Sequence, residues 1–161
     1  MRNRKLPLAV LFVLILHSEF AKGQQLEVRA ETGKQTVLTK ADIEALPHVK
    51  VTTSASGTSA TFEGVSLKAV LQRGGVEFRE TMKGKRLASC LLVEAADGYR
   101  VIIALPELDE AFTDKQFLLA FLKDGKPLDD KEGPYRIVIP DEKRMARWVR
   151  QVRVLKIVDV E

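Results

Sequence analysis

One cysteine (Cys90) and two histidines (His17 and His48) are all that 161 residues hold of the side chains most metal and nucleophile sites require. A single cysteine forms no disulfide within the chain, and over residues 24–161 one cysteine beside one histidine is too few for an ordinary zinc site. A Ser-His-Asp triad would have to use His48, which follows Pro47 with no nucleophile motif nearby. Gly-x-Ser-x-Gly, the P-loop and Gly-x-Gly-x-x-Gly are all missing. These absences exclude most common enzyme classes. Any chemistry must arrive with a cofactor, or there is none.

Long apolar runs are scarce too. Leu6–Leu16 is eleven residues long, which as a helix rises about 16 Å, well short of a bilayer core of about 30 Å. It follows a basic stretch, Arg2-Asn3-Arg4-Lys5, and precedes Ala21-Lys22-Gly23, with small residues where a signal peptidase reads. Residues 1–23 are therefore expected to be a cleaved export signal and residues 24–161 a single domain, periplasmic or secreted, with no stable membrane insertion after cleavage. Arg2 and Arg4 are separated by Asn3, so the twin-arginine signature is absent. The formal charge of +4 belongs largely to this leader. Without its four basic residues and one acidic residue, 22 basic and 21 acidic side chains remain, a net of +1. Nucleic-acid binding, which depends on neutralising phosphates, is not expected.

What remains is 45% hydrophobic and 30% charged over the whole chain, an ordinary globular composition. Residues 26–30 alternate like a strand, and residues 35–38 give a second. Thr39 and Asp42 resemble a capping box, opening a short helix that Pro47 ends. Strands are expected over 49–53 and 59–63, then a helix through Leu67, Val70 and Leu71 that closes at Gly74-Gly75. Two apolar runs, 87–96 and 99–105, flank Asp97-Gly98 and predict a hairpin with a type I′ turn, buried on both faces. A short helix over 106–112, an apolar segment over 116–122, a turn at 123–127 and strands over 135–139 and 148–160 complete the chain. The fold class is α+β, strand-dominated.

Several residues invite a functional reading beside a structural one. Asp97 is a general-base candidate and Tyr99 a ligand-facing hydroxyl, although the turn explains both. Arg136 begins an apolar strand after Glu132-Gly133-Pro134, so it is either paired to a carboxylate or aimed at an anionic ligand. Lys143, Arg144, Arg147, Arg150, Arg153 and Lys156 surround Trp148. Neither an α-helix nor a β-strand keeps a period of three on one side, so they are solvated surface, or Arg144 and Arg147 form a local anion cradle. Cys90, inside an apolar run, reads as packing rather than as a reactive thiolate.

Five segments occur in an order that carries a resemblance: Phe62-Glu-Gly-Val-x-Leu-x-x-Val-Leu71, Glu94-Ala-Ala-Asp-Gly-Tyr99, Leu118-Leu-Ala-Phe-Leu-x-Asp-Gly-Lys-Pro-Leu128, Glu132-Gly-Pro-Tyr-Arg-Ile-Val-Ile-Pro140 and Arg144-x-x-Arg-Trp-Val149. The chain resembles the oxidoreductase molybdopterin-binding family, which includes sulfite oxidases and the catalytic subunit of the periplasmic methionine sulfoxide reductase. The resemblance spans about residues 38–158. It implies a mixed α+β fold around a pterin pocket, with a protein thiolate completing the molybdenum ligands and basic residues holding the phosphate. On motif position Arg136 and Arg147, with Arg144 beside them, are the implied cofactor-binding residues. The implied thiolate precedes the Phe-x-Gly-x-x-Leu segment, where this chain has Val51-Thr-Thr-Ser-Ala-Ser-Gly57 and no cysteine. Cys90 lies beyond that segment. Members that bind the cofactor typically leave the cytoplasm folded, by the twin-arginine route that this leader does not match.

The expectation is an exported domain without molybdenum chemistry or bound cofactor and with no metal ligands, binding an anionic small molecule or a periplasmic protein partner. The alternative is a molybdopterin-dependent oxidoreductase performing oxygen-atom transfer.

Overall fold

In a computed structural model, residues 25–55, 58–78, 82–140 and 142–159 are described. The expected export signal lies outside them. Among the described residues ten strands form two five-stranded sheets. The first has the order β2 (Gln35–Leu38), β1 (Leu26–Arg29), β10 (Val152–Val158), β5 (Cys90–Ala95), β6 (Arg100–Ala104). The second runs β3 (His48–Ala55), β4 (Thr58–Ser66), β7 (Leu118–Lys123), β8 (Lys126–Pro127), with β9 (Arg136–Val138) also paired to β7. β1 and β10 run parallel, and the other described pairs are antiparallel.

Alternation decides which side of the first sheet is dry. Leu26 and Val28, Leu91 and Val93, Ile103, and Leu155 are each fully buried. They join Val65, Leu119 and Ile137 of the second sheet and Leu67, Val70 and Leu71 of helix α2 (Leu67–Arg73) in one core cluster. Helix α1 (Lys40–Glu44) adds Ile43. Its expected capping box is formed: Thr39 Oγ1 accepts from the Asp42 amide at 3.2 Å, and Asp42 Oδ2 accepts from the Thr39 amide at 3.0 Å.

Gly64 explains part of the Phe-Glu-Gly-Val segment. β4 bulges between Glu63 and Gly64 against β7, and a Cβ at Gly64 would stand 2.1 Å from the Leu119 carbonyl oxygen. Any side chain there would force the central strands of the second sheet apart.

Three expectations are corrected. The hairpin at Asp97-Gly98 is not type I′, because Gly98 has φ +85° while Asp97 does not have positive φ. Gly98 N–H donates to Ala95 and the Ala95 amide to Tyr99, a three-residue loop whose last residue is left-handed. Nor is the hairpin buried on both faces: Ile102 is 60% exposed, and Leu92 and Glu94 are half-buried. Residues 87–88, expected as the start of a strand, end a 3₁₀ turn over Gly84–Ala88 instead.

Candidate functional site

β9 delivers Arg136 onto the face of the second sheet that also carries Phe62 and Val51, cross-strand partners in β4 and β3. Arg136 is 7% exposed, and its guanidinium lies 5.5 Å from the ring centroids of both Phe62 and Trp148, which meet edge to face at 5.9 Å. Trp148 is fixed by its indole N–H, which donates to the Ile139 carbonyl at 3.0 Å. Glu132 bonds Arg136 directly and reaches Lys123 Nζ at 3.5 Å. Lys123 in turn lies over the Phe62 ring at 5.8 Å. Arg136 Nε is buried and has no hydrogen-bond partner. Of the two readings open for Arg136, the carboxylate pair is the one formed. Its signal in the sequence was Glu132, four residues earlier.

Arg144 and Arg147 stand apart from that cluster, on the 3₁₀ turn Met145–Arg147 and the residue before it. They line one shallow basic depression together with Lys143, Lys115 and Glu142. Arg147 is already engaged. Its Nε donates to Glu142 at 2.7 Å and its terminal nitrogens reach Glu107 at 3.3 and 3.4 Å. Partial burial pulls its pKa down, but the bonds to Glu142 and Glu107 outweigh that and hold it above the usual value. Lys143 and Arg144 are exposed and form no ion pair among the described residues. The other basic residues scatter: Arg150 lines a separate cleft beside Tyr99, and Lys156 lies opposite Arg29 on the first sheet.

A cleft of about 310 Å³ adjoins the depression, with Lys115 lining both. Val49, Val51, Leu108, Phe117 and Leu118 give it an apolar lining. Ser66, Lys68 and Glu110 edge it. Lys68 bonds Glu110 and reaches Asp109 at 3.3 Å. Burial pulls its pKa down, and these two acids more than offset that, so the ammonium sits above its usual value. No sequence motif marked this cleft, since its walls come from β3, β4 and the loop before β7.

Cys90 stands elsewhere. It alternates with the inward-facing Leu91 and Val93 and has Ala104 and Val158 as cross-strand partners. Although buried, it lies outside the core cluster. Burial, then the nearby Asp159 carboxylate, pushes the thiol pKa up, so it is held protonated. Asp97 and Tyr99 are turn residues: Asp97 Oδ1 accepts from the Tyr99 amide at 2.9 Å, and the Tyr99 hydroxyl donates to the Ala146 carbonyl at 2.8 Å.

This arrangement sits in a fold with relatives. The model of the oxidoreductase molybdopterin binding domain family matches residues 17–161, and the chain belongs to that family. Among solved structures it is similar to the sulfane dehydrogenase SoxCD from Paracoccus pantotrophus, with a TM-score of 0.67 and 20% identity. The likeness covers 85% of this chain but 38% of that one, so the present chain spans well under half its length. No curated protein matches. The strand-dominated two-sheet architecture is the family's sulfite-oxidase-like fold.

The family's group can be tested against the residues present. Where the resemblance expects a thiolate, β3 offers Val51, whose side chain lines the apolar cleft, and Thr53, whose hydroxyl donates to the Pro140 carbonyl at 3.1 Å. Among the described residues no cluster of three metal-binding side chains occurs. At the basic end, Arg136 and Arg147 are neutralised by carboxylates of this chain. This donor set does not fit a thiolate-ligated molybdenum.

Proposed function

We propose that this chain is an exported member of the molybdopterin-binding family that uses the fold as a binding module for an anionic ligand or partner, without molybdenum chemistry. The observation that carries the reading is at the region where the resemblance expects a thiolate: Val51 and Thr53 stand there, while Cys90 is on a strand of the other sheet. The anionic ligand is favoured by the depression, where Lys115, Lys143, Arg144 and Arg147 outnumber Glu142 and the nearby Glu107, which already engage Arg147. The leader supports export. Its short apolar run suits the general secretory route, along which a chain travels unfolded and carries no bound pterin.

Measuring molybdenum and pterin in the exported protein, purified from a host that makes the cofactor, tests this reading. Both are expected at background in folded protein. Near-stoichiometric metal or pterin would overturn it and return the chain to oxygen-atom transfer.

A further inference from the structure

The cleft and the basic depression meet at Lys115, and together they define a ligand more narrowly than charge alone. The cleft is roughly the size at which small-molecule pockets begin, about 300 Å³. Val49, Val51, Leu108, Phe117 and Leu118 would desolvate an apolar body. Lys68, Glu110, Asp114 and Lys115 also line the cleft, two acids against two bases, so it offers no net charge to recognise a small inorganic ion. The depression, conversely, is shallow and has no apolar floor among its lining residues. Within it, Arg147 is occupied by Glu107 and Glu142, which leaves Lys143 and Arg144 as cations with no ion pair among the described residues, and Lys115, whose pair to Glu107 is long at 3.9 Å.

Resting on the anion-binding reading above, we infer that the ligand is an amphipathic organic anion. Its apolar body occupies the cleft against Val51 and Leu118, and its sulfonate, carboxylate or phosphate head faces Lys115, Lys143 and Arg144. Neither half suffices. The head meets exposed charges that salt screens, so its contribution falls as ionic strength rises, whereas burial of the body does not depend on salt in that way.

Calorimetric titration of the full mature chain with three probes separates the parts: naphthalene-2-sulfonate, the neutral naphthalene-2-methanol, and inorganic sulfate. The sulfonate is expected to bind at least tenfold more tightly than either other probe at low salt. The surface double variant K143E/R144E should weaken the sulfonate at least fivefold and leave the neutral probe unchanged. Val49→Phe, which fills the cleft from the edge strand β3, should weaken both aromatic probes. Because the double variant changes only exposed residues, its result stands even if Val49→Phe misfolds. Sulfate binding as tightly as the sulfonate would overturn the amphipathic ligand while leaving the anion-binding module intact. The neutral probe binding as tightly as the sulfonate would remove the role of the basic head. Failure of all three probes to bind would overturn both the inference and the anionic reading beneath it.

Discussion

Arg136 is the residue at which binding and structure are easiest to confuse. A guanidinium beside two aromatic rings, with one nitrogen lacking a partner, has the look of a recognition group. Yet Glu132 is within bonding reach and itself mostly buried, and Lys123 completes a charged triplet over Phe62. Removing one member of a buried pair costs more than the pair contributes, since the survivor stays desolvated and uncompensated. Glu132→Gln is therefore expected to cost about 3 kcal/mol. Arg136→Met, which leaves Glu132 its contact with Lys123 and puts a flexible apolar chain between the rings, is expected to cost about 1 kcal/mol. Urea unfolding of the two variants checks the order. The structural role would be refuted by a near-silent Glu132→Gln together with an Arg136→Met that loses ligand and keeps its stability.

At the scale of elements, α1 shows how a short helix of five residues is held. Isolated helices of this length do not persist in water, so its ends must be tied. Asp42 accepts hydrogen bonds from the Thr39 hydroxyl and amide and from Arg73, and these bonds, in that order, hold its pKa down at about 2 from 3.8. The folded-state value lies below the unfolded one, so the contribution is complete above about pH 4 and is lost as pH falls from there through 2. Asp42→Asn should lower the urea midpoint by a constant amount above pH 5, and the gap should shrink as pH falls from about 4 through 2. A gap that is flat across that range would refute the carboxylate's role. The cap was readable because its whole grammar lies within four residues.

Turns were less readable. Asp-Gly occurs at both 97–98 and 124–125, yet only the second is a two-residue turn with both residues at positive φ, +50° and +76°. The difference is tertiary: Asp124 bonds β4 through its amide, 2.7 Å from Thr61 O, and its carboxylate, 2.9 Å from Thr61 N. At 97–98 the Asp97 carboxylate turns back to its own strand. The site divides in the same way. Arg144 and Arg147 could be singled out, being close in sequence. Glu107, Lys115 and Val51, which decide what those arginines face, come from strands and loops that only folding brings near.

For the whole molecule the order of strands matters more than their number. β10, the last element, lies at the centre of the first sheet between β1 and β5. Val152 and Leu155 are fully buried and Ile157 nearly so. Without β10, β1 has only β2 as a partner in the sheet, and β5 becomes an open edge facing a stripped core. Closure of the first sheet is therefore expected to depend on residues 152–158. Two outcomes follow from the topology. Leu155→Ala, which empties a fully buried site in the middle strand, should cost about 2–5 kcal/mol. A chain ending at Gln151 should show neither a cooperative melt nor dispersed amide resonances, because the loss removes a central strand and not a peripheral one. A cooperative thermal transition in that truncated chain would mean that β1, β2, β5 and β6 close a core without β10, and folding would then not depend on the C-terminal strand.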